Sequence, residues 1–323
     1  MDILIVGGTS FVGRAISWSA LNAGHRVTVL NRGQTPSDLP DTVERLIGDR
    51  GGDLSTLHGR AFDATVDCIA YRPDDVDRLA DALGERGGHQ VHISSVSAYD
   101  RPPAEATEEA VSLFADDPAL YDQPVNATTY GPLKAMSERR ALARFEHVAV
   151  VRPTYVIGAY DATLRFPYWV ERARRGGTVA VPGPSQSGLQ YIDARDLADF
   201  VTLLIASATT GAFHVAGPHP STRYVETIQR IIDHVAPLGT ELVEVDGSHV
   251  ANAGLAGRFP LWPGPNTNDA FNVDSQLAIA TGLRLRPIEA SVDDVVAWWG
   301  DRPWPDRWLK ADDERGLLDA ARR

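Results

Sequence analysis

Tyr130 and Lys134 stand four residues apart in the run Tyr130-Gly131-Pro132-Leu133-Lys134. On a helix, positions i and i+4 share a face, so the phenol and the ammonium can address one ligand. Pro132 suits the first turn of such a helix, where its missing N–H has no intrahelical partner, and Thr128 or Thr129 suits the N-cap. A free tyrosine, with a pKa of about 10, is a poor base. Bringing it near ~7 takes about 4 kcal/mol of preferential stabilisation of the phenolate, part of which a neighbouring ammonium supplies. A second source of chemistry is the hydroxyl cluster Ser94-Ser95-Val96-Ser97-Ala98-Tyr99, which follows a short apolar run. A serine there can hold a substrate oxygen while the tyrosine moves its proton. The pattern is that of proton transfer at a hydroxyl or carbonyl group.

A third feature opens the chain. The apolar run Asp2–Val6 leads directly into Gly7-Gly8-Thr9-Ser10-Phe11-Val12-Gly13 and then into helical spacing. A strand that ends on glycine lets the backbone turn tightly and approach a pyrophosphate, whose charge then meets the helix N-terminus. Gly7, Thr9, Ser10, Phe11, Val12 and Gly13 are the expected contacts. The second strand ends in Asn31-Arg32-Gly33 without the acid that would bind a ribose 2′-hydroxyl, and the next acid is Asp38. Arg32 is placed to pair with a 2′-phosphate, which favours NADP(H), with NAD(H) as the alternative.

The elements that must position these groups follow from the hydrophobic pattern. Strands are expected at Asp2–Val6, Arg26–Leu30, Val43–Ile47, Asp63–Ala70, His89–Ser94 and Val148–Arg152, and helices at Phe11–Gly24, Pro73–Arg86 and Leu133–Phe145. Short, nearly continuous apolar strands alternating with helices indicate an α/β fold with a doubly wound parallel sheet. After about residue 155 Gly and Pro become frequent, and a smaller C-terminal substrate-binding lobe is expected. The division is 1–160, completed by parts of 190–216, against 161–323. Tyr155, Arg165, Tyr168, Trp169 and Tyr191 fall near that boundary, where an Arg among aromatics suits an anionic or ring-bearing substrate. The tryptophans at 298, 299, 304 and 308 are expected to cap a small core.

The composition bounds the rest. The 323 residues carry a net charge of −12, which argues against a partner held by a general positive field, so no nucleic acid and no membrane partner is expected. A single cysteine, Cys68, forms no internal disulfide and fits a cytoplasmic location. The nine histidines lack metal-ligand spacing, so no metal is expected. A small-molecule substrate is the expected partner, and a monomer or homodimer the expected state.

The glycine turn, Ile93-Ser94-Ser95-Val96-Ser97-Ala98-Tyr99, Tyr130-Gly131-Pro132-Leu133-Lys134, Val151-Arg152-Pro153 and Tyr191-Ile192-Asp193-Ala194-Arg195-Asp196-Leu197-Ala198 together resemble the extended and atypical short-chain dehydrogenase/reductases, the NAD-dependent epimerase/dehydratase group. The resemblance covers roughly residues 1–215. It implies a Rossmann-type sheet, Tyr130 as acid/base, Lys134 on the nicotinamide ribose and Ser95 as the catalytic serine, with Ser94 and Ser97 as fallback positions. It also implies Asp49, with Arg50 beside it, near the adenine and Ala70 as a backbone wall beside the ribose. Asn31, Ser94, Tyr130 and Lys134 join the expected cofactor contacts. The chain departs from the pattern at Ser10, where a glycine is usual, and at Asp100, where many sugar-nucleotide enzymes have glycine. The implied activity is hydride transfer at a carbinol or carbonyl carbon, as a reductase or epimerase on a sugar-nucleotide-like or other small ring substrate. The alternative is a non-catalytic dinucleotide- or RNA-binding relative.

Overall fold

The computed structural model describes residues 1–100, 113–265 and 272–322. The chain forms two compact units. The first comprises Met1–Val156, Ala194–Gly217 and Val273–Leu285, and the second Ile157–Asp193, Pro218–Asn272 and Arg286–Arg323. Residues 273–285, which the sequence pattern places in the smaller lobe, therefore cluster with the first unit.

The first unit is built on β1 (Asp2–Val6), β2 (Arg26–Asn31), β3 (Glu44–Ile47), β4 (Ala64–Asp67), β5 (His89–Ile93), β6 (Val148–Pro153) and the strand Gly211–Val215. They form one seven-stranded sheet in the order Gly211–Val215, β6, β5, β4, β1, β2, β3, and every pairing is parallel. Ile3, Leu4 and Ile5 are fully buried, as a strand covered on both faces requires. The chain leaves β1 for β2 on one side and reaches β4 on the other: Val6 pairs with Leu30 and with Asp67. This is the point where the strand order reverses, and ligands of such sheets bind beyond the strand ends there.

Helix α1 (Phe11–Asn22) packs on the helix Ala194–Ala206, and α2 (Pro73–Leu83) on α3 (Tyr130–Arg144). Apolar side chains of α2 at 76, 79, 80 and 83 are all buried, one stripe at helical spacing. Its outer edge is tied to α3 through Arg144, whose Nη1 lies 2.6 Å from Asp77 Oδ1. Pro73 opens α2 where a proline N–H is not missed, and Asp75 reaches back to the backbone N–H of Arg72 at 3.0 Å.

In the second unit the strand Thr178–Pro182 pairs in parallel with Glu241–Val245. Around this pair lie the helices Arg165–Arg174, Tyr224–Val235, Ile288–Trp299 and Ala311–Ala321. Aromatic side chains fill the core: the Tyr168 ring meets Trp169, Trp304 and Trp308 at centroid distances of 4.8, 5.7 and 5.6 Å, and Trp299 stacks on Trp308 at 5.0 Å. Among the described residues no helix is long and apolar enough to cross a membrane.

Candidate active site

The glycine turn is shaped by close backbone approach. Gly7 has φ +84°, and a Cβ there would lie 2.7 Å from Ile69 Cγ2. A Cβ on Gly13 would lie 2.1 Å from the carbonyl oxygen of Gly7, so no other residue lets α1 start this near the end of β1. Ser17 Oγ donates to the carbonyls of Gly8 (2.8 Å) and Gly13 (2.9 Å) and fastens the turn to the helix. Ser10 occupies the N-cap of α1 with φ −132°, extended backbone open to any residue, which explains why a glycine is dispensable there. Its side chain makes no capping bond, and the first turn holds no acid. The helix start thus keeps free N–H groups and the positive end of its dipole, the requirements of a phosphate site.

Beside the turn lies a pocket of about 510 Å³. Of the residues expected at the cofactor, Gly7, Thr9, Ser10, Asn31, Arg32, Asp49 and Arg50 line it. Arg32 is exposed, whereas the side chain of Asn31 is occupied in its own turn, accepting from the Gly33 N–H at 2.7 Å. Arg50 is buried, paired with Asp67 and donating to the Asp75 carbonyl at 2.9 Å. Gln34, Thr35, Tyr71, Arg72 and Asp75 also line it and were not anticipated from sequence. Phe11, Val12 and Gly13 form the helix start and are not among the lining residues.

Tyr130 begins α3 and Lys134 follows one turn later. Thr129 holds the N-cap position but makes no capping bond; its hydroxyl instead donates to the Pro124 carbonyl at 2.6 Å. Lys134 is 2% exposed, and its Nζ donates to the carbonyls of Ala70 (2.8 Å) and Ile93 (2.5 Å), just past β4 and at the end of β5. The backbone of Ala70 is therefore the lysine's anchor. Two of three ammonium hydrogens are used, and one remains for a ligand. Burial lowers the Lys134 pKa to about 8, against the opposing pull of Asp67 and Glu138. The Tyr71 ring lies near both groups, with centroids 6.2 Å from the Tyr130 ring and 5.5 Å from Lys134 Nζ. Its position just after Ala70, at the carboxyl edge of the sheet, was the available clue.

The two adjacent serines differ in duty. Ser95 caps the single turn Val96–Ala98, its Oγ accepting from the Ser97 N–H at 3.1 Å, which leaves its own proton for donation. Ser94 is 2% exposed and donates to Glu138 Oε2 at 2.8 Å. The Ser94 hydroxyl, expected at the cofactor, serves a buried carboxylate in this structure. Helix α3 and the serine turn meet at Gly131, where a Cβ would lie 2.3 Å from the Ser97 carbonyl oxygen. That contact brings Tyr130, one residue earlier, alongside the Ser95 turn.

The substrate residues expected near the lobe boundary do not form one set. Tyr168 and Trp169 have no exposed surface, and the Trp169 indole donates to the Pro260 carbonyl at 2.7 Å. Both are core residues of the second unit, which corrects their expected role. Tyr191 is also buried in the second unit, at 7% exposure, and the Arg165 Nε donates to Thr163 Oγ1 at 2.9 Å. Tyr155 lies in the first unit, in the short strand Tyr155–Ile157, and is half-buried. Among the described residues no group of three His, Cys, Asp or Glu side chains is gathered to hold a metal ion.

Comparison with known proteins places this geometry. Over 220 residues the chain is 30% identical to a 2-alkyl-3-oxoalkanoate reductase of Stenotrophomonas maltophilia, covering 62% of this chain and 64% of that protein. Over 275 residues it is 24% identical to the chloroplast stem-loop binding protein of 41 kDa b of Arabidopsis thaliana, covering 80% and 64%. The alignments thus span about 64% of the length of either relative. Among solved structures, a UDP-N-acetylglucosamine 4-epimerase of Bacillus cereus matches with a TM-score of 0.66 at 17% identity, covering 96% of this chain and all of that one. The Bordetella bronchiseptica enzyme WbmG in complex with NAD matches at 0.67 and 17%, covering 93% and 94%. At these identities the likeness is one of fold. The model of the NAD dependent epimerase/dehydratase family matches residues 3–217, the stretch that holds the glycine turn, the serine turn, Tyr130 and Lys134, and the chain belongs to that family.

Proposed function

We propose that the protein is a nicotinamide-dinucleotide-dependent oxidoreductase that reduces a carbonyl group of a small substrate, with NADP(H) preferred. The observation that carries this is Lys134: a buried ammonium held between the strand-end carbonyls of Ala70 and Ile93, one turn from Tyr130 and beside the Ser95 turn. The residues fit a dinucleotide. The bare start of α1 and the close Gly7–Gly13 packing suit a pyrophosphate, and the 510 Å³ pocket suits the adenosine end. Exposed Arg32, with Gln34 and Thr35 near it, supports a 2′-phosphate over a bare hydroxyl.

The bound dinucleotide would supply the hydride. Ser95 holds the substrate oxygen by a hydrogen bond from its free O–H, Tyr130 delivers the one proton that completes the alcohol, and the Lys134 charge stabilises the phenolate that results. In the opposite direction the same groups abstract that proton. The run Ser95–Ala98 contains no carboxylate, so the extra acid/base pair of a dehydration is missing from the turn, which favours reduction or epimerisation. The 2-alkyl-3-oxoalkanoate reductase relative makes β-keto acids the first carbonyl substrates to try, and the epimerase fold makes the keto forms of nucleotide sugars the second.

The test is direct. NADPH and NADH binding is followed by fluorescence, turnover of 2-alkyl-3-oxo acids, simple ketones and keto-sugar nucleotides by the loss of NADPH absorbance, and epimerisation of UDP-sugars with the oxidised cofactor by chromatography of the products. Tight NADPH binding with turnover of one class supports the proposal. Cofactor binding without turnover across the panel, together with a salt-sensitive RNA complex, supports instead the non-catalytic reading suggested by the chloroplast stem-loop binding relative.

A further inference from the structure

A carboxylate and a guanidinium lie buried behind the site. Glu138 is fully buried, one turn beyond Lys134 on α3, and Arg152 on β6 is 6% exposed. Arg152 grips the carboxylate with two nitrogens, Nη2 on Oε1 and Nε on Oε2 at 3.1 Å. The same Oε2 accepts from Ser94 Oγ at 2.8 Å, and Arg152 Nη1 donates to Tyr99 Oη at 3.0 Å. Beyond Tyr99 the chain of bonds has one direction. His214 Nδ1 lies 2.8 Å from the Asp274 carbonyl oxygen, which can only accept, so in the neutral ring Nδ1 carries the hydrogen. Nε2 then has the lone pair, and the Tyr99 hydroxyl donates to it.

Ser94 and Tyr99 flank Ser95, one residue before it and four after. Between them the turn is closed by Ala98 N–H on the Ser95 carbonyl (3.0 Å) and Tyr99 N–H on the Val96 carbonyl (3.2 Å). One ion pair therefore holds both ends of the serine turn, while its acidic member rides on the helix that carries Tyr130 and Lys134. Stability alone does not call for such a pair, since well-packed apolar side chains of similar volume serve a core as well or better. On the reading of Ser95, Tyr130 and Lys134 as the reacting groups, we propose that Glu138 and Arg152 are positioning residues that clamp the Ser95 turn in register with α3.

The test compares wild type with the double variant Glu138→Leu/Arg152→Met, which removes both charges of the pair together while Asp67 remains near Lys134, and with Tyr99→Phe. Four quantities are read: the thermal midpoint, the NADPH Kd, hydrogen exchange of the Ser97, Ala98 and Tyr99 amides, and kcat on the best substrate of the panel. The expected result for the double variant is a midpoint at or above wild type and an NADPH Kd within about threefold, because the adenosine pocket does not include either residue. Protection of the three amides falls about tenfold or more, and kcat falls about tenfold or more. A double variant with native protection and native kcat would show the pair to be structural filling and overturn the clamp. Should the double variant not fold, Tyr99→Phe decides: faster exchange at the three amides with lower kcat supports the clamp, and neither change overturns it. A wild-type protein that turns over nothing in the panel sinks the catalytic reading, whereas the exchange arm still rules on whether the pair holds the turn.

Discussion

Gly131→Ala is the sharpest perturbation of the proposed catalytic geometry, because it adds one methyl group where α3 crosses the serine turn. The new Cβ would stand 2.3 Å from the Ser97 carbonyl oxygen, with Phe114 Cε2 at 3.1 Å on another side. An ordinary carbon–oxygen contact is about 3.3 Å, so helix and turn must part by roughly 1 Å. The Ser97 carbonyl is backbone and cannot rotate away, and Tyr130 moves with the helix. A displacement of that size at a reacting group costs on the order of 10²-fold in rate, equivalent to about 3 kcal/mol of barrier. Overpacking adds about 1–3 kcal/mol of destabilisation. The measurements are kcat with NADPH and the best carbonyl substrate, the NADPH Kd and the thermal midpoint. Gly316→Ala serves as control: it lies in the helix Ala311–Ala321 with open space around its would-be Cβ, and should keep full activity. Wild-type kcat in the Gly131 variant would refute the placement of Tyr130 against the Ser95 turn.

Further outcomes follow from the same structure. Arg32→Ala should weaken NADPH binding about tenfold while leaving NADH within about twofold, since an exposed guanidinium contributes through the 2′-phosphate alone; equal losses for both cofactors would remove Arg32 as the discriminator. Turnover should fall as pH rises through about 8, where Lys134 sheds its proton, and this limb should be absent from any residual activity of Lys134→Met. Stability should move the other way. Folded Lys134 titrates near 8 against 10.5 for the unfolded group, so between those values the unfolded chain binds more protons and stability rises with pH. That gain is about 3 kcal/mol, and denaturant titrations of wild type and Lys134→Met at pH 7 and pH 10.5 check it.

The sheet was legible because its strands are buried on both faces and therefore appear as unbroken apolar runs: Asp2–Val6 has the predicted limits, and β2, β5 and β6 differ from theirs by one residue. α3 begins at Tyr130, as Pro132 in a first turn and a cap at Thr129 require, three residues before the apolar pattern sets in at Leu133. The glycine turn could also be read, as Gly7 and Gly13 are forced by contacts between neighbouring segments of chain. The choice between Ser94 and Ser95 was not legible from the residues alone. Adjacent side chains on extended backbone point to opposite sides, and the carboxylate that captures Ser94 lies 44 residues away. Tyr168 and Trp169 misled for a related reason: aromatics at helical spacing look alike whether they line a pocket or fill a core, and here Trp304, Trp308 and Phe259 enclose them. Tyr71 escaped notice because no spacing links it to Tyr130; the sheet edge alone brings them together.

The central claim is that the Tyr130 phenol carries the proton of the reaction. Tyr130→Phe isolates it, since only one oxygen is removed and Tyr130 does not line the pocket beside the glycine turn. Measured side by side, the variant should bind NADPH with a Kd within about twofold of wild type and lose turnover by about 10² or more. Undiminished turnover in that variant, with the cofactor bound normally, would contradict the account.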